Sequence, residues 1–385
     1  MASISLASFF SVVVAILAVL LLAFIEEPPP FNSFFTLDFH NNFHLQHCKH
    51  HHHHHRFESP CDDFPPDFPP PDTETATFLC VDSNGCCNFT TVQAAVDAVG
   101  EFGRKRSIIW INHGIYYEKV TIPKTKANIT FQGQGMYTTA IAWNDTANST
   151  GGTFYSASVA VYGVNFIAKN ISFMNVSPIP KPGDMGAQAV AIRVGGDQAA
   201  FWGCGFFGAQ DTLHDDRGRH FYKECFVQGS IDFIFGDATS LYQNCEMLSI
   251  SAPVPTGLNF INGAVTAHGR TSANDNTGFS FVNCSIGGTG RIWLGRAWRP
   301  FSRVVFINTF MSDVVAPEGW NDFDDPNRDR TVFYGEYECS GAGASGAMRV
   351  AYAMKLNESE VVPFLNISFI GGEQWLQPFD SHLLL

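Results

Sequence analysis

Residues Cys204 to Cys245 contain a repeat that leaves few folds open to the chain. Cys204-Gly205-Phe206-Phe207-Gly208-Ala209-Gln210-Asp211 lies over Cys225-Phe226-Val227-Gln228-Gly229-Ser230-Ile231-Asp232 with Cys, Gly and Asp in step at an offset of 21 residues. Cys245 follows Cys225 after 20 more. A period of this size marks a solenoid, in which each repeat forms one rung and stacks on the next. Parallel rungs stack about 4.8 Å apart, so Asp211 and Asp232 become neighbours. Two carboxylates that close cannot both ionise freely, and their pKa values separate into a base or nucleophile and an acid. One rung back, Gln188 precedes Gln210 by 22 residues, which brings two carboxamides to the pair. Neutral donors beside a nucleophile suit an oxyanion; the alternative is a structural amide ladder along the stack.

The flanking sequence fits the same architecture. SIIWIN, KVTI and QAVAIRV are short β-branched or aromatic runs separated by Gly, Asn and Asp turns, the pattern of an all-β chain. Val92, Ala95, Val96 and Val99 recur at helical spacing behind Thr90 or Thr91 as cap. They predict a short N-terminal helix that closes the open end of the stack and protects its β edges. Asn244, Asn283 and Asn308, each followed by Cys or Thr, carry the rungs beyond the carboxylates. Cys80, Cys86 and Cys87 match no common zinc spacing and read as disulfide partners.

GAQDTL, GSIDFIFGDA and WLGRAW, together with GIYYEKV and QAVAI, resemble the signatures of plant pectin methylesterases (pectinesterases), in the family's order, from about Phe78 to Trp375. The resemblance implies an all-β, single-stranded, right-handed parallel β-helix. It implies hydrolysis of the C6 methyl esters of homogalacturonan to carboxylate and methanol, with no metal and no organic cofactor. Carried over position by position, it makes Asp232 the nucleophile and Asp211 the proton donor and later base. Gln210 and Gln188 become oxyanion donors, with Gln188 also touching substrate. Arg296 orients Asp232 and, as an adjacent cation, favours its ionised form. Trp298, two residues on and on the same face of a strand, would stack on a sugar ring, and Thr153 would contact substrate. Phe207, Tyr222 and Phe235 are aromatics close to the motifs that would line subsites. Cys225 and Cys245 match the family's disulfide pair, and Gly114, Tyr116 and Glu118 its G-x-Y-x-E pattern, for which a structural role is expected. Ala297 stands where the family usually has Pro, and the long inhibitor-like N-terminal domain of many relatives has no counterpart in this sequence.

Residues 78–380 are therefore the expected pectinesterase β-helix domain. Residues 1–25 contain an apolar run from Leu6 to Ile25 with no Lys or Arg before Lys49, read as a cleaved signal peptide or an uncleaved signal anchor. Residues 26–77 form a Pro-, His- and Asp-rich linker containing six consecutive His, His50 to His55. Nine N-x-S/T sequons, at Asn88, Asn128, Asn144, Asn148, Asn170, Asn175, Asn283, Asn357 and Asn366, suit a glycosylated protein secreted to the cell wall. A net charge of −13 argues against nucleic acid and fits a neutral, methyl-esterified polymer better than a fully acidic one. The expected partners are methyl-esterified homogalacturonan, with room for a proteinaceous inhibitor, and a membrane if the apolar segment stays uncleaved. A retaining glycosidase also uses carboxylates about 5 Å apart, but the Gln pair favours ester chemistry. No G-x-S-x-G occurs, which disfavours a serine esterase, and a non-catalytic pectin binder would have little reason to keep both acids.

Overall fold

The structure, a computed structural model, describes residues 76–180 and 184–376. The apolar segment 1–25, nearly all of the linker with its His run, and residues 377–380 of the expected domain lie outside them. The described strands form three sheets of eleven, eight and eight strands, and neighbours pair in parallel. One coil visits each sheet in turn, with Ala199–Trp202 in the first, Gly205–Phe207 in the second and Leu213–Asp215 in the third. The next coil repeats this with Arg219–Lys223, Phe226–Gly229 and Ile234–Gly236. This is the parallel β-helix that the 21-residue repeat predicts.

The repeat has a physical basis in two columns of residues. Inside the coil, Phe201, Tyr222, Tyr242, Phe281 and Phe306 stack ring on ring, with successive centroids 4.8, 4.4, 4.5 and 4.6 Å apart. These distances equal the rung spacing. From Asn170 onward, the chain turns at the corner between the first and second sheets on one left-handed residue per coil: Asn170, Gly203, Glu224, Asn244, Asn283, Asn308 and Glu338, with φ between 49° and 57°. Gly and Asn enter this region at low cost, which is why Asn recurs there in the sequence.

The next residue after five of these corners is Cys204, Cys225, Cys245, Cys284 or Cys339, all free thiols, and the first four are buried. The expected Cys225–Cys245 disulfide is therefore corrected. Each thiol instead donates to the carbonyl two residues before it, Cys225 to Lys223 at 3.3 Å and Cys245 to Gln243 at 3.5 Å. The same pattern holds for Cys204 and Cys284. The column places four equivalent sulfurs on successive coils with their polar needs met, rather than singling out one pair. A disulfide does join Cys80 to Cys87, and Cys86 is also disulfide-bonded.

The first coil is closed as expected by a helix, Val92–Ala98, whose Val92, Ala95 and Val96 are buried. Thr91 caps it, accepting from the Ala94 amide. Glu118 adds its carboxylate to the amides of Val92 (2.7 Å) and Gln93 (2.9 Å) at the positive end of the helix. Lys126 is buried and donates to the carbonyls of Val96, Asp97 and Val99 at the negative end. The Tyr116 hydroxyl donates to the Asn112 carbonyl at 3.1 Å. The G-x-Y-x-E pattern is thus structural. The first strand among the described residues, Ala76–Val81, pairs with Arg106–Ile111. At the other end, short helical turns from Glu358 to Gln374 place Val361, Phe364, Ile370 and Trp375 against the outer face of the first sheet. Of the sequons, Asn175 is buried, and its amide group donates to the carbonyls of Asp145 and Val190.

Candidate active site

The connections from the second sheet to the third are of unequal length, and the candidate site occupies two short ones. Residues 208–212 carry Gln210 and Asp211, and residues 230–233 carry Asp232. The Ala189 amide donates to the Gln210 carbonyl and the Asp211 amide to the Ile231 carbonyl, both at 3.0 Å. Gln188, Gln210 with Asp211, and Asp232 therefore occupy three successive coils, as the sequence offsets predict. Asp211 and Asp232 both adopt left-handed backbone, with φ of 64° and 49°, a conformation Asp tolerates better than most residues. Neither the Gln188 nor the Gln210 carboxamide is engaged in a hydrogen bond among the described residues.

Arg296 ends the strand Ile292–Arg296 and registers with Ala267, which registers with Phe235, three residues beyond Asp232. This brings the guanidinium to Asp232 as a bidentate pair, with Nε donating to Oδ1 at 2.9 Å and Nη2 donating to Oδ2. Such a fork fixes a carboxylate in one orientation and favours its charged form. The two acids are then electrostatically unequal. Burial and the Asp232 charge push Asp211 well above the usual carboxylate range, and Arg296 opposes this only in part. Burial also leaves Asp232 above the usual carboxylate range, with the hydrogen bonds and charge of Arg296 offsetting part of the rise. Asp211 thus keeps its proton more strongly than its Arg296-paired neighbour Asp232.

Further side chains complete the outer face of the third sheet. Phe235 registers with His214, and His214 with Arg193. The His214 ring stacks on Phe235 at 4.2 Å between centroids, and burial pushes its pKa down to about 4, so it is neutral near pH 7. Trp298 meets Phe235 edge to face at 6.1 Å. Thr153 lies in the turn Thr153–Tyr155, within a loop joined to the Gln188 segment by the Ala147 amide, which donates to the Gln188 carbonyl at 2.7 Å. Ala297 is buried; its amide donates to the Asn321 carbonyl, and its own carbonyl accepts from Arg328. The loop after Trp320–Asn321 thus holds the segment that lacks Pro.

The structure separates the three expected subsite aromatics. Phe235 lies on the third sheet against His214 and Trp298. Tyr222 does not: it is fully buried in the internal ring stack, with its hydroxyl donating to Asp215 at 3.0 Å. The corrected role follows from its register on an inward-facing column. Phe207 lies in the second sheet, packed against Phe226 with ring centroids 5.3 Å apart, away from the third-sheet face that carries Phe235. Sequence reasoning missed His214, Arg193 and Phe323. Phe323 lies over the Arg296 guanidinium at 4.7 Å. His214 had a signal, since it stands three residues after Asp211 and alternates with Leu213; Phe323 sits in an irregular loop and had none.

Two inequivalent carboxylates, a clamping arginine and two carboxamides on successive coils of a parallel β-helix define a class: a hydrolase-type site. The comparisons with known proteins agree. A pectinesterase family model matches residues 79–373, and the chain belongs to the pectinesterase family, and with it to the carboxylic ester hydrolases. It is 68% identical over 320 residues to probable pectinesterase 8 of Arabidopsis thaliana, covering 83% of this chain and 81% of the relative. Among solved structures it is similar to the pectin methylesterase from carrot, at 36% identity and a TM-score of 0.71, covering 77% of this chain and 94% of that one. It is also similar to a pectin methylesterase variant solved in complex with a hexasaccharide, at 25% identity and a TM-score of 0.66, covering 76% and 96% of the two chains.

Proposed function

We propose that the chain removes C6 methyl esters from homogalacturonan through Asp232. Its carboxylate attacks the ester carbonyl carbon, and negative charge develops on the carbonyl oxygen, where the Gln188 and Gln210 carboxamides donate. Removing one such donor typically costs about 2.7–4 kcal/mol of barrier. As the tetrahedral species collapses, Asp211 gives its proton to the departing methoxy oxygen and methanol leaves. Asp211, now a carboxylate, takes a proton from water, which attacks the acyl-enzyme and frees both the galacturonate and Asp232. Trp298, Phe235 and Thr153 hold the flanking sugar. The observation that carries this reading is the bidentate Arg296–Asp232 pair beside an Asp211 pushed to high pKa.

Residues 1–25 direct the chain into the secretory pathway, as signal or anchor, and the working location is the cell wall. A proteinaceous inhibitor would compete at the same cleft. The test is methanol release from highly esterified pectin, wild type beside Asp232→Ala, with and without chelator. Release that requires Asp232 and ignores the chelator is the expected result. A folded wild type that releases no methanol but generates new reducing ends would overturn it in favour of a glycosidase.

A further inference from the structure

Gln188 stands four residues before its strand, Ile192–Val194, and its carboxamide makes no hydrogen bond among the described residues. Its aim therefore depends on the backbone that carries it. That backbone is held from the coils on both sides. The Ala147 amide donates to the Gln188 carbonyl at 2.7 Å, the Ser158 amide to the Val190 carbonyl at 3.0 Å, and the Ala189 amide to the Gln210 carbonyl at 3.0 Å. The Val190 amide in turn donates to the Ser156 hydroxyl at 3.1 Å, and that hydroxyl donates to the Thr153 carbonyl at 2.8 Å.

One side chain ties these pieces together. Asn175 ends the strand Ser172–Asn175 and is 5% exposed. Its Nδ2 group donates to the carbonyls of Asp145 at 2.8 Å, Val190 at 3.1 Å and Ser156 at 3.4 Å. Its Oδ1 accepts from the Ser177 amide at 3.1 Å. This fixes which way the side-chain amide faces, because carbonyls can only accept and a backbone amide can only donate. Asp145 and Ser156 lie near the two ends of the loop 144–158, and Val190 is two residues beyond Gln188. The Asn175 amide thus draws together both ends of the loop that bears Thr153 and the segment that bears Gln188. A carboxylate in its place would face the same carbonyls with nothing to donate, and a shorter side chain would release them.

We propose that Asn175 is a positioning residue of the ester-hydrolysing site, holding the Gln188 carboxamide where the oxyanion forms. This rests on the esterase reading above. Oxyanion donors act only within hydrogen-bond distance of the charge that develops, and a displacement of ~1 Å caused outside the chemistry can cost about 10²-fold in rate. The same geometry limits modification. Asn175-Val176-Ser177 is a glycosylation sequon, but a glycan is joined through Nδ2, the atom that serves the carbonyls of Asp145, Ser156 and Val190. The active chain therefore carries Asn175 unmodified.

The experiment measures kcat and KM for methanol release from one highly esterified homogalacturonan, with the full chain as wild type, Asn175→Ala, Gln188→Ala and the double variant. Asn175→Ala should lower kcat by about 10²-fold and leave KM within about twofold, because an oxyanion donor acts on the transition state. The double variant should be slower than Gln188→Ala by no more than about twofold, since a misplaced donor and a missing one are the same loss. If Asn175→Ala does not fold, as judged by near-ultraviolet circular dichroism, Ser156→Ala carries the same cycle. It removes the acceptor of the Val190 amide and should lower kcat by about tenfold. Normal kcat in a folded Asn175→Ala, losses that multiply in the double variant, or a glycan found on Asn175 of active chain by peptide mass spectrometry would overturn the proposal. Multiplied losses would assign Asn175 to the stability of the fold at large. No methanol from the wild type would overturn the esterase reading and the positioning role with it, whereas an active wild type with multiplied losses sinks the positioning role alone.

Discussion

Arg296→Ala isolates the electrostatic half of the mechanism. Asp232 is buried, and burial alone disfavours its charge; what opposes this is a guanidinium donating through two nitrogens to both carboxylate oxygens. A cation in direct contact lowers a carboxylate pKa by about 1–3 units, or ~1.4–4 kcal/mol. Removing it leaves burial and the second carboxyl unopposed, so the Asp232 pKa rises by that amount. The acid limb of the pH profile of kcat/KM reports the free enzyme's essential base, and it should move upward by about 1–3 pH units. Activity should return partly at high pH. Arg296→Lys, which keeps the charge and loses the fork, should move the limb less. Methanol release across the pH range, with near-ultraviolet circular dichroism to establish folding, decides the matter. A folded Arg296→Ala whose activity drops while the acid limb stays put would refute the reasoning, because Arg296 would then act on substrate rather than on Asp232.

Two further outcomes test other parts of the structure. Asp211 has a folded pKa well above its unfolded value of 3.8, so the folded state holds its proton longer. Its burden on stability is absent below about pH 4, grows through the folded pKa and is complete above it. Asp211→Asn should therefore unfold at a higher temperature than wild type in alkaline buffer and at the same temperature in acid, while losing nearly all turnover; a lower melting point throughout would contradict this. Glu118→Gln should cost about 1–3 kcal/mol in urea unfolding, because it weakens two charge-assisted bonds at a helix N-terminus. Its methanol release should be normal, and a catalytic defect in the folded variant would argue against a purely structural G-x-Y-x-E.

The carboxylate pair was legible in the sequence because the β-helix converts a fixed offset into spatial adjacency. Asp211 and Asp232 share one corner of the coil, and the left-handed Asn corners keep successive coils in phase. Arg296 was reachable only through the family's motif, since it lies 64 residues from its partner Asp232 and a longer, irregular coil intervenes. Tyr222 misled because proximity in sequence says little in a solenoid. Adjacent strands face different sheets, and Tyr222 occupies the inward column that alternation assigns to the core. The wrap of Val361, Phe364, Ile370 and Trp375 against the first sheet had no periodic signal, being made of short turns whose partners lie on distant coils. The Cys225–Cys245 expectation drew on pairwise resemblance, whereas the structure presents a ladder of equivalent thiols.

The corners of the coil differ in a way that bears on how such a chain can change. From Asn170 onward each coil turns between the first and second sheets on one left-handed residue and its successor, so an insertion within those coils would throw the following rungs out of step, whereas an earlier coil spends residues 133–138 at the same corner. Between the second and third sheets the chain already accepts anything from the two-residue link at 290–291 to the long excursion at 144–158. One edge of the molecule behaves as a spine and the other as a margin on which loops lengthen or shorten independently. Because Asp211 and Asp232 sit on that margin, new polymer preferences could arise by rewriting neighbouring loops without disturbing the register that holds the chemistry together.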